Sequence, residues 1–209
     1  MANTLAPTGL VYSRPQMGGA ATVQATQYKI KNGYASAIGI GDVVKTGVGA
    51  NQGYIVLAVP GDTNILGVFA GVLPYYDQNQ QAIAHGLIGS YAAGAAPPTG
   101  VDIDCIVFSD PLIRFRAQIS GGGNPPAQSW RGRNINFIAN GTANGNGTPN
   151  ISGVSTLALD GATIGDANTL PFRIEQIVGV VGGPQDPTQA NPWVEVRMNT
   201  SEAFAAQGI

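Results

Sequence analysis

The chain has 209 residues, of which only 11% are charged, and its formal net charge is −2. Its 30 glycines and 14 prolines are distributed along the whole length, and they destabilise a helix interior by about 1 and about 3 kcal/mol respectively. The composition therefore excludes a protein of long helices, and the scattered basic residues exclude sequence-independent binding of nucleic acid, which needs clustered lysine and arginine.

The cysteine count and the N-terminal sequence bear on the cellular setting. The single cysteine, Cys105, cannot form an intramolecular disulfide or a cysteine-based zinc site. The first 15 residues lack the basic region and apolar core of a secretory signal, and no apolar run of about 18 residues is present to span a membrane. We therefore expect a protein that is made in a reducing cytoplasm and does not enter a membrane.

Residues 1–20 contain prolines and glycines but no strand alternation, which predicts an extended N-terminal arm. We expect the remaining residues, 21–209, to form a single β domain. In its first half, runs of strand-forming residues predict strands at 22–30, 43–44, 54–59 and 65–76. The last of these runs contains Gly67, Gly71 and Pro74, so it is expected to bend or bulge.

The middle of the chain carries the clearest strand pattern. Residues 102–108 place Ile103, Cys105 and Val107 on one face of a strand. Residues 112–119 alternate, with one face formed by Ile113, Phe115, Ala117 and Ile119 and the other by Leu112, Arg114, Arg116 and Gln118. Alternation with a period of two predicts a sheet with one buried and one polar face.

The last third repeats this organisation. Strands are predicted at 154–159, 172–181 and 193–198. Segments 121–126 and 140–150 are rich in glycine, asparagine and proline, which is typical of surface loops. The predicted fold class is all-β, a β-sandwich or barrel of jelly-roll-like type, with long loops and the N-terminal arm.

The residues that catalysis usually needs are scarce. His85 is the only histidine, and no G-x-S-x-G motif accompanies any serine. Cys105 lies in an apolar run, where burial makes a thiol inert. Asp102 and Asp104 share one strand face and could bind Ca²⁺ with loop carbonyls, but solvated carboxylates are the simpler interpretation. We therefore predict no catalytic residue, no metal site and no cofactor.

Two further segments resemble binding motifs. The run from Gly47 to Gly53 approaches a dinucleotide-binding loop, but it lacks the spacing and the following helix that a phosphate site needs, so we interpret it as a hairpin loop. Trp130, Arg131 and Arg133 form the densest aromatic and basic cluster. Arginine binds planar anions in a bidentate manner, so this cluster is a candidate interface, with a solvated strand edge as the alternative.

Several stretches taken together resemble the small capsid decoration, or cement, proteins of tailed bacteriophages. The resemblance spans residues 28–199 and depends on the order and spacing of five stretches, at 65–77, 110–118, 153–160, 171–178 and 191–199. It implies a non-enzymatic all-β protein on the outer surface of the phage head, made in the host cytoplasm. It also implies binding to the major capsid protein and self-association as dimers or trimers; we favour a trimer, with a dimer possible.

Other members of this family grip the capsid with a free N-terminal arm, and segment 1–20 suits that role. The expected capsid contacts in the arm are Leu5, Leu10, Val11, Tyr12 and Arg14. The sequence leaves two alternatives open. One is another virion subunit, from the capsid, tail or head fibre. The other is a carbohydrate-binding β module that would use exposed aromatic side chains such as Trp130, Trp193, Tyr75 and Tyr76.

Overall fold

The structure, a computed structural model, describes residues 3–15, 25–76, 89–94, 97–98, 100–121, 128–138, 145–147, 149, 152–182 and 185–202. These residues form eleven strands, and the helical structure among them is limited to two three-residue 3₁₀ turns, Gly49–Asn51 and Gln128–Trp130. The strands are β1 (Val11–Pro15), β2 (Ala25–Ile30), β3 (Val43–Thr46), β4 (Ile55–Leu57), β5 (Gly67–Val72), β6 (Ile103–Phe108), β7 (Ile113–Ser120), β8 (Asn134–Phe137), β9 (Leu159–Gly165), β10 (Phe172–Val178) and β11 (Trp193–Met198).

Five strands close a barrel in the order β7-β11-β10-β8-β9, and β9 returns to pair with β7. Every pairing in this barrel is antiparallel except that between β9 and β7, which is parallel. β9 uses only the end of β7, at Ile119 and Ser120. The first half of the same β7 edge, from Ile113 to Arg116, is paired instead with β1.

The remaining five strands form an antiparallel sheet in the order β2-β6-β5-β3-β4. All six residues of β5 are buried, because one face of the sheet packs on the barrel and the other covers a second core. The pairing of β5 with β6 shifts register between Phe69 and Gly71. The bend or bulge predicted for residues 65–76 is therefore present.

Two hydrophobic clusters fill the interior. The larger cluster lies inside the barrel and extends to Val43, Ala58, Ile65 and Val68 of the second sheet. The smaller cluster lies on the far side of that sheet, around Phe69, Tyr91 and Cys105. Since the larger cluster takes side chains from both sheets, apolar burial holds the barrel and the second sheet together.

A tight turn at residues 39–42 lies where the barrel meets the second sheet. Gly41 has a φ of 95°, a conformation that glycine adopts without strain. A Cβ atom at Gly39 would lie 2.9 Å from the backbone nitrogen of Ser155, so only glycine allows this approach. Backbone hydrogen bonds join the turn to three other segments. The Leu10 N–H donates to the Gly41 carbonyl, and the Gly41 N–H donates to the Phe69 carbonyl. The Ser155 N–H donates to the Ile40 carbonyl.

The Asp42 side chain ends this turn and is fully buried. One carboxylate oxygen accepts a hydrogen bond from the Ser155 hydroxyl at 2.5 Å, and the other accepts from the Gly39 N–H at 2.6 Å. Burial raises the pKa of Asp42, and these hydrogen bonds lower it by less than burial raises it. Ser155 also accepts from the Leu157 N–H at 2.9 Å, so one hydroxyl links the turn to the segment that leads into β9.

Asn146 is a second buried polar residue at this junction. Its amide oxygen accepts from the Val43 N–H, and its amide nitrogen donates to the carbonyls of Val43 and Ala58, at 2.8–2.9 Å. A single side chain thus satisfies backbone groups that a neighbouring strand would otherwise satisfy. The sequence predicts a surface loop at 140–150, but Asn146 is buried because it takes this bridging place in the core.

The predicted all-β class is confirmed by these two sheets. The predicted strands at 102–108, 112–119 and 193–198 match β6, β7 and β11 to within one residue at either end. The strand predicted at 154–159 is wrong: residues 154 and 155 form only isolated bridges, and β9 begins at Leu159. β1 and β8 were not predicted, because they are short and owe their strand conformation to β7 and β10.

The first prediction concerns Gly67 in β5, where a Cβ atom would overlap the carbonyl oxygen of Phe108 on β6. We expect Gly67→Ala to lower the free energy of unfolding by about 1–3 kcal/mol, because the two strands must separate. Gly165→Ala in β9 is the control, since the nearest atom to a Cβ there is 3.7 Å away. Equal urea-denaturation midpoints for the two variants would contradict the close packing of β5 on β6.

The second prediction concerns the bond between Ser155 and Asp42. Because the pKa of Asp42 is raised in the folded state, Asp42 contributes most to stability below its ordinary value of 3.8, and this contribution declines as the pH rises through the raised value. Above that pH the carboxylate is charged and needs the Ser155 donor. We therefore expect Ser155→Ala to cost about 1.5–3 kcal/mol at pH 7 and less at pH 3.

Chemical denaturation at both pH values measures this difference. Ser109→Ala is the matched control, because the Ser109 hydroxyl makes an exposed bond to Thr26. A cost of Ser155→Ala that does not change with pH would show that Asp42 does not titrate at this junction.

Candidate functional site: an arginine-rich wall of the barrel

The residues considered for chemistry have structural roles wherever the structure describes them. Cys105 is buried in the smaller core, and burial raises the pKa of its thiol to about 12. The Asp102 carboxylate accepts from the Asn32 N–H and the Tyr54 hydroxyl, and Asp104 lies 3.3 Å from the Lys29 ammonium. His85 lies outside the described residues. Within the described ranges, no group of three or more His, Cys, Asp or Glu residues is placed to hold a metal ion.

The glycine-rich run at 47–53 forms the connection between β3 and β4. It contains the 3₁₀ turn Gly49–Asn51 and closes through a hydrogen bond from the Gly47 N–H to the Tyr54 carbonyl at 2.7 Å. The interpretation of this run as a hairpin loop is therefore confirmed, since β3 and β4 pair antiparallel on either side of it.

The described part of the predicted arm lies against the barrel of the same chain. β1 pairs with β7, and Leu10 is buried in the larger core. Tyr12 packs against that core with its ring 5.8 Å from the ring of Phe108. Leu5 and Val11 remain exposed, and Arg14 points away from the core. The final part of the arm, 16–20, lies outside the described residues.

The segment before β1 is fixed by side-chain hydrogen bonds. Gln118, predicted to lie on the polar face of β7, is buried because residues 4–6 cover it. Its amide oxygen accepts from the Ala6 N–H at 2.9 Å, and its amide nitrogen donates to the carbonyls of Thr4 and Asn191. Asn3 donates to the Asp186 carbonyl at 2.9 Å. These bonds hold residues 3–6 against β7 and the connection between β10 and β11.

The most distinctive feature of the surface is a row of arginines across four neighbouring strands. The strand register places Arg14 of β1 opposite Arg114 of β7, Arg114 opposite Arg197 of β11, and Arg197 opposite Arg173 of β10. Residues directly opposite each other in an antiparallel pair share a face, and like charges there destabilise the sheet. Four arginines in one row are thus a cost to folding that other groups must offset.

Two glutamates lie among these arginines. Glu195 is 2.7 Å from Arg14 and 3.7 Å from Arg114, while Glu175 is 2.7 Å from Arg197 and 3.5 Å from Arg114. Burial raises the pKa of Glu195, but hydrogen bonds from Ser13 and Arg14 and the charges of Arg14 and Arg114 outweigh it, so the net pKa is lowered. Glu195 therefore remains ionised at neutral pH, and the ion pairs of both glutamates hold the guanidinium groups in place.

Arg116 lies in the adjacent row of the same face. It is opposite Val11 on one side and Glu195 on the other, and its side chain is exposed. We call the outer surface of β1, β7, β11 and β10 the arginine wall; its arginines are Arg14, Arg114, Arg116, Arg173 and Arg197. With five arginines against two glutamates, the wall carries a net charge of +3 in a chain whose net charge is −2.

The cluster predicted from Trp130, Arg131 and Arg133 adjoins this wall. Its backbone pairs with β10 through two hydrogen bonds: the Gly132 N–H donates to the Ile174 carbonyl at 2.8 Å, and the Ile174 N–H donates to the Arg133 carbonyl at 2.9 Å. Trp130 packs on the barrel core, whereas Arg131 and Arg133 are exposed next to Arg173. The structure therefore brings Arg14 and this cluster to opposite ends of one surface, which their separation of more than 100 positions in the sequence does not reveal.

Exposed apolar side chains flank the arginines. Val11 is 45% exposed and shares a row with Arg116, and Leu112, in the turn immediately before β7, is 41% exposed. Arginine beside aliphatic side chains on a broad sheet surface is a composition typical of protein–protein interfaces. Such an arrangement is suited to contact with another surface.

Comparison with known proteins gives no relative: no protein-family model, no curated protein and no solved structure matches this chain. In the described part of the chain, no helix is long and apolar enough to cross a membrane. The functional interpretation therefore depends on the residues and geometry described above.

A third prediction tests the charge balance of the arginine wall. The lowered pKa of Glu195 means that its contribution to stability is complete above the ordinary value of 4.5 and is lost as the pH falls through the lowered value. We expect Glu195→Gln to reduce the free energy of unfolding by about 1.5–3 kcal/mol at pH 7, because Ser13 and two arginines lose a charged partner.

The difference between Glu195→Gln and the wild type should shrink at pH 3, as followed by denaturant unfolding. Asp166→Asn is the matched control: the Asp166 side chain is 83% exposed and 3.7 Å from Arg133. Similar losses in the two variants at pH 7 would mean that Glu195 does not stabilise the row.

Proposed function

We propose that this protein is a non-enzymatic structural protein of a tailed-phage virion, a capsid decoration or cement protein that binds and stabilises the outer surface of the head. The observation that carries the proposal is the arginine wall, a broad interface-like surface on a rigid barrel. The partner is the major capsid protein, and the protein is made in the host cytoplasm before it joins the particle.

The stretches that resemble decoration proteins support this proposal by their place in the fold. Four of the five stretches contain all or part of β7, β9, β10 and β11, and the fifth contains β5. They thus include most of the barrel and three of the four strands of the arginine wall. A resemblance located in the strands that build the candidate interface is more informative than one confined to loops.

The predicted arm takes a specific form in this proposal. Leu10 and Tyr12 anchor the N-terminal segment to the protein's own core, while Leu5, Val11 and Arg14 are left on the outside. Capsid contact through this segment would then be part of the contact through the arginine wall. A pre-formed surface loses little conformational entropy on binding, which favours tight attachment.

We also propose that the protein self-associates, as a trimer rather than a dimer. Val180 and Val181, at the start of the connection between β10 and β11, are 74% and 70% exposed, and Val48, in the connection between β3 and β4, is 73% exposed. Exposed aliphatic tips of this kind are suited to contacts between copies, and closed rotational symmetry is the usual outcome for identical chains. Several copies on one capsid would add avidity to each contact.

The fourth prediction tests the function directly. Electron cryomicroscopy of particles from the phage that encodes this chain should show density for the barrel and the second sheet on the outside of the head, with its copies in threes. Particles that lack the gene should release DNA at a lower temperature, because bridging contacts between capsomers are missing. DNA release followed with an intercalating dye measures this.

The same reconstruction separates the alternatives. Density in the tail or in a head fibre would assign the protein to another virion structure, and no density would exclude a structural role in the particle. Binding to a glycan array by the isolated protein would favour a carbohydrate-binding module. Among the aromatic residues named for that role, Trp130 is packed on the barrel core and Tyr76 is exposed.

A further inference from the structure

We infer that the arginine wall binds a carboxylate-rich protein surface, and that Arg116 and Arg173 are its principal contact residues. This inference deepens the proposed function, because it specifies the chemistry of the capsid surface that the protein would recognise. Glutamate and aspartate side chains are the expected partner groups.

The wall has unused capacity to bind anions. Two internal glutamates neutralise only part of the charge of five arginines, which leaves +3 on one face. Each guanidinium group has five N–H donors, so the single ion pairs of Arg14 and Arg197 leave most of their donors free for a partner.

Arg116 and Arg173 are the arginines of the wall that the protein itself uses least. No ion pair of Arg116 lies within 4 Å among the described residues, and Arg173 approaches Glu175 only to 3.9 Å. Both side chains are exposed. They sit on β7 and β10, one strand apart across β11, so they can contact one partner surface at the same time.

The geometry favours carboxylates on a protein. The row crosses four strands spaced about 4.8 Å apart, so it spans about 14 Å, the width of a few side chains on an opposing surface. The guanidinium fork binds a carboxylate through two parallel hydrogen bonds. Val11 and Leu112 beside the row add apolar area of the kind found in protein interfaces.

The charge outside the wall argues against nucleic acid as the partner. Because the whole chain has a net charge of −2 and the wall has +3, the rest of the chain sums to −5. The lysines, Lys29, Lys31 and Lys45, all lie on the second sheet or next to it. A long polyanion that extends beyond the wall and the adjoining Arg131 and Arg133 would meet net negative charge, whereas a compact acidic patch would not.

The test measures binding of a fluorescent deca-glutamate peptide by anisotropy at low salt, in the full-length protein. We expect Arg116→Gln/Arg173→Gln to weaken binding by about tenfold, within the range for the loss of two exposed ion pairs, and added salt to weaken wild-type binding as well. Lys29→Gln/Lys31→Gln removes the same charge from the second sheet and should bind like the wild type. Unchanged melting temperatures would show that both double variants remain folded.

Several results would overturn the inference: no binding of the peptide by the wild type, equal binding by the two double variants, or tighter binding to a DNA decamer than to the peptide. A second arm measures attachment of the same variants to undecorated heads. If the wild type fails to attach to undecorated heads, the proposed function is wrong. The peptide-binding result then tests the inference about the arginine wall by itself. If the wild type and Arg116→Gln/Arg173→Gln attach equally, the inference about the wall is wrong and the proposed function is not affected.

Discussion

Apolar burial holds the barrel and the second sheet together, and one buried contact fixes how they meet: the hydrogen bond between the Ser155 hydroxyl and the Asp42 carboxylate. A buried carboxylate is costly unless donors surround it, and here the donors come from Gly39 and Ser155. Because Ser155 belongs to the segment that leads into β9, the contact joins the second sheet to the barrel. The glycine at position 39 is required for the same reason: any side chain there would separate Ser155 from the turn.

The junction also positions the surface that we propose as the interface. The Leu10 N–H donates to the Gly41 carbonyl at 3.0 Å, and β1 begins at the next residue. The turn at 39–42 therefore fixes where the N-terminal segment enters the barrel and hence where β1 pairs with β7. Arg14 takes its place in the arginine row as a consequence of that pairing. A change in the turn at 39–42 would therefore alter the pairing of β1 at the arginine wall, although no residue of the turn lies on the wall.

The arginine wall combines a cost to stability with a surface suited to the binding role that we propose. A sheet that only had to fold would not place four arginines in one row, since like charges on adjacent strands repel. Glu175 and Glu195 reduce the repulsion without cancelling the charge. What is left is a positively charged surface in a chain of which only 11% of the residues are charged. Such a surface can recognise an acidic partner while the rest of the molecule tolerates close neighbours.

The sequence by itself determined the features that depend on local chemistry. The density of glycine and proline excluded long helices, the alternation at 112–119 identified β7 and its buried face, and Gly67 and Gly71 indicated the irregularity in β5. The burial of Cys105 followed from the apolar run around it. Each of these follows from a residue and its immediate neighbours, through propensity or a period of two.

Tertiary structure alone decided the features that depend on residues distant in sequence. Asn146 and Gln118 are polar and were expected at the surface, but backbone groups from remote segments satisfy them inside. β1 and β8 are strands because β7 and β10 offer them partners. The arginine row exists only because barrel closure sets the register of β1, β7, β11 and β10, and register is fixed by packing of the whole core, which no short stretch of sequence records.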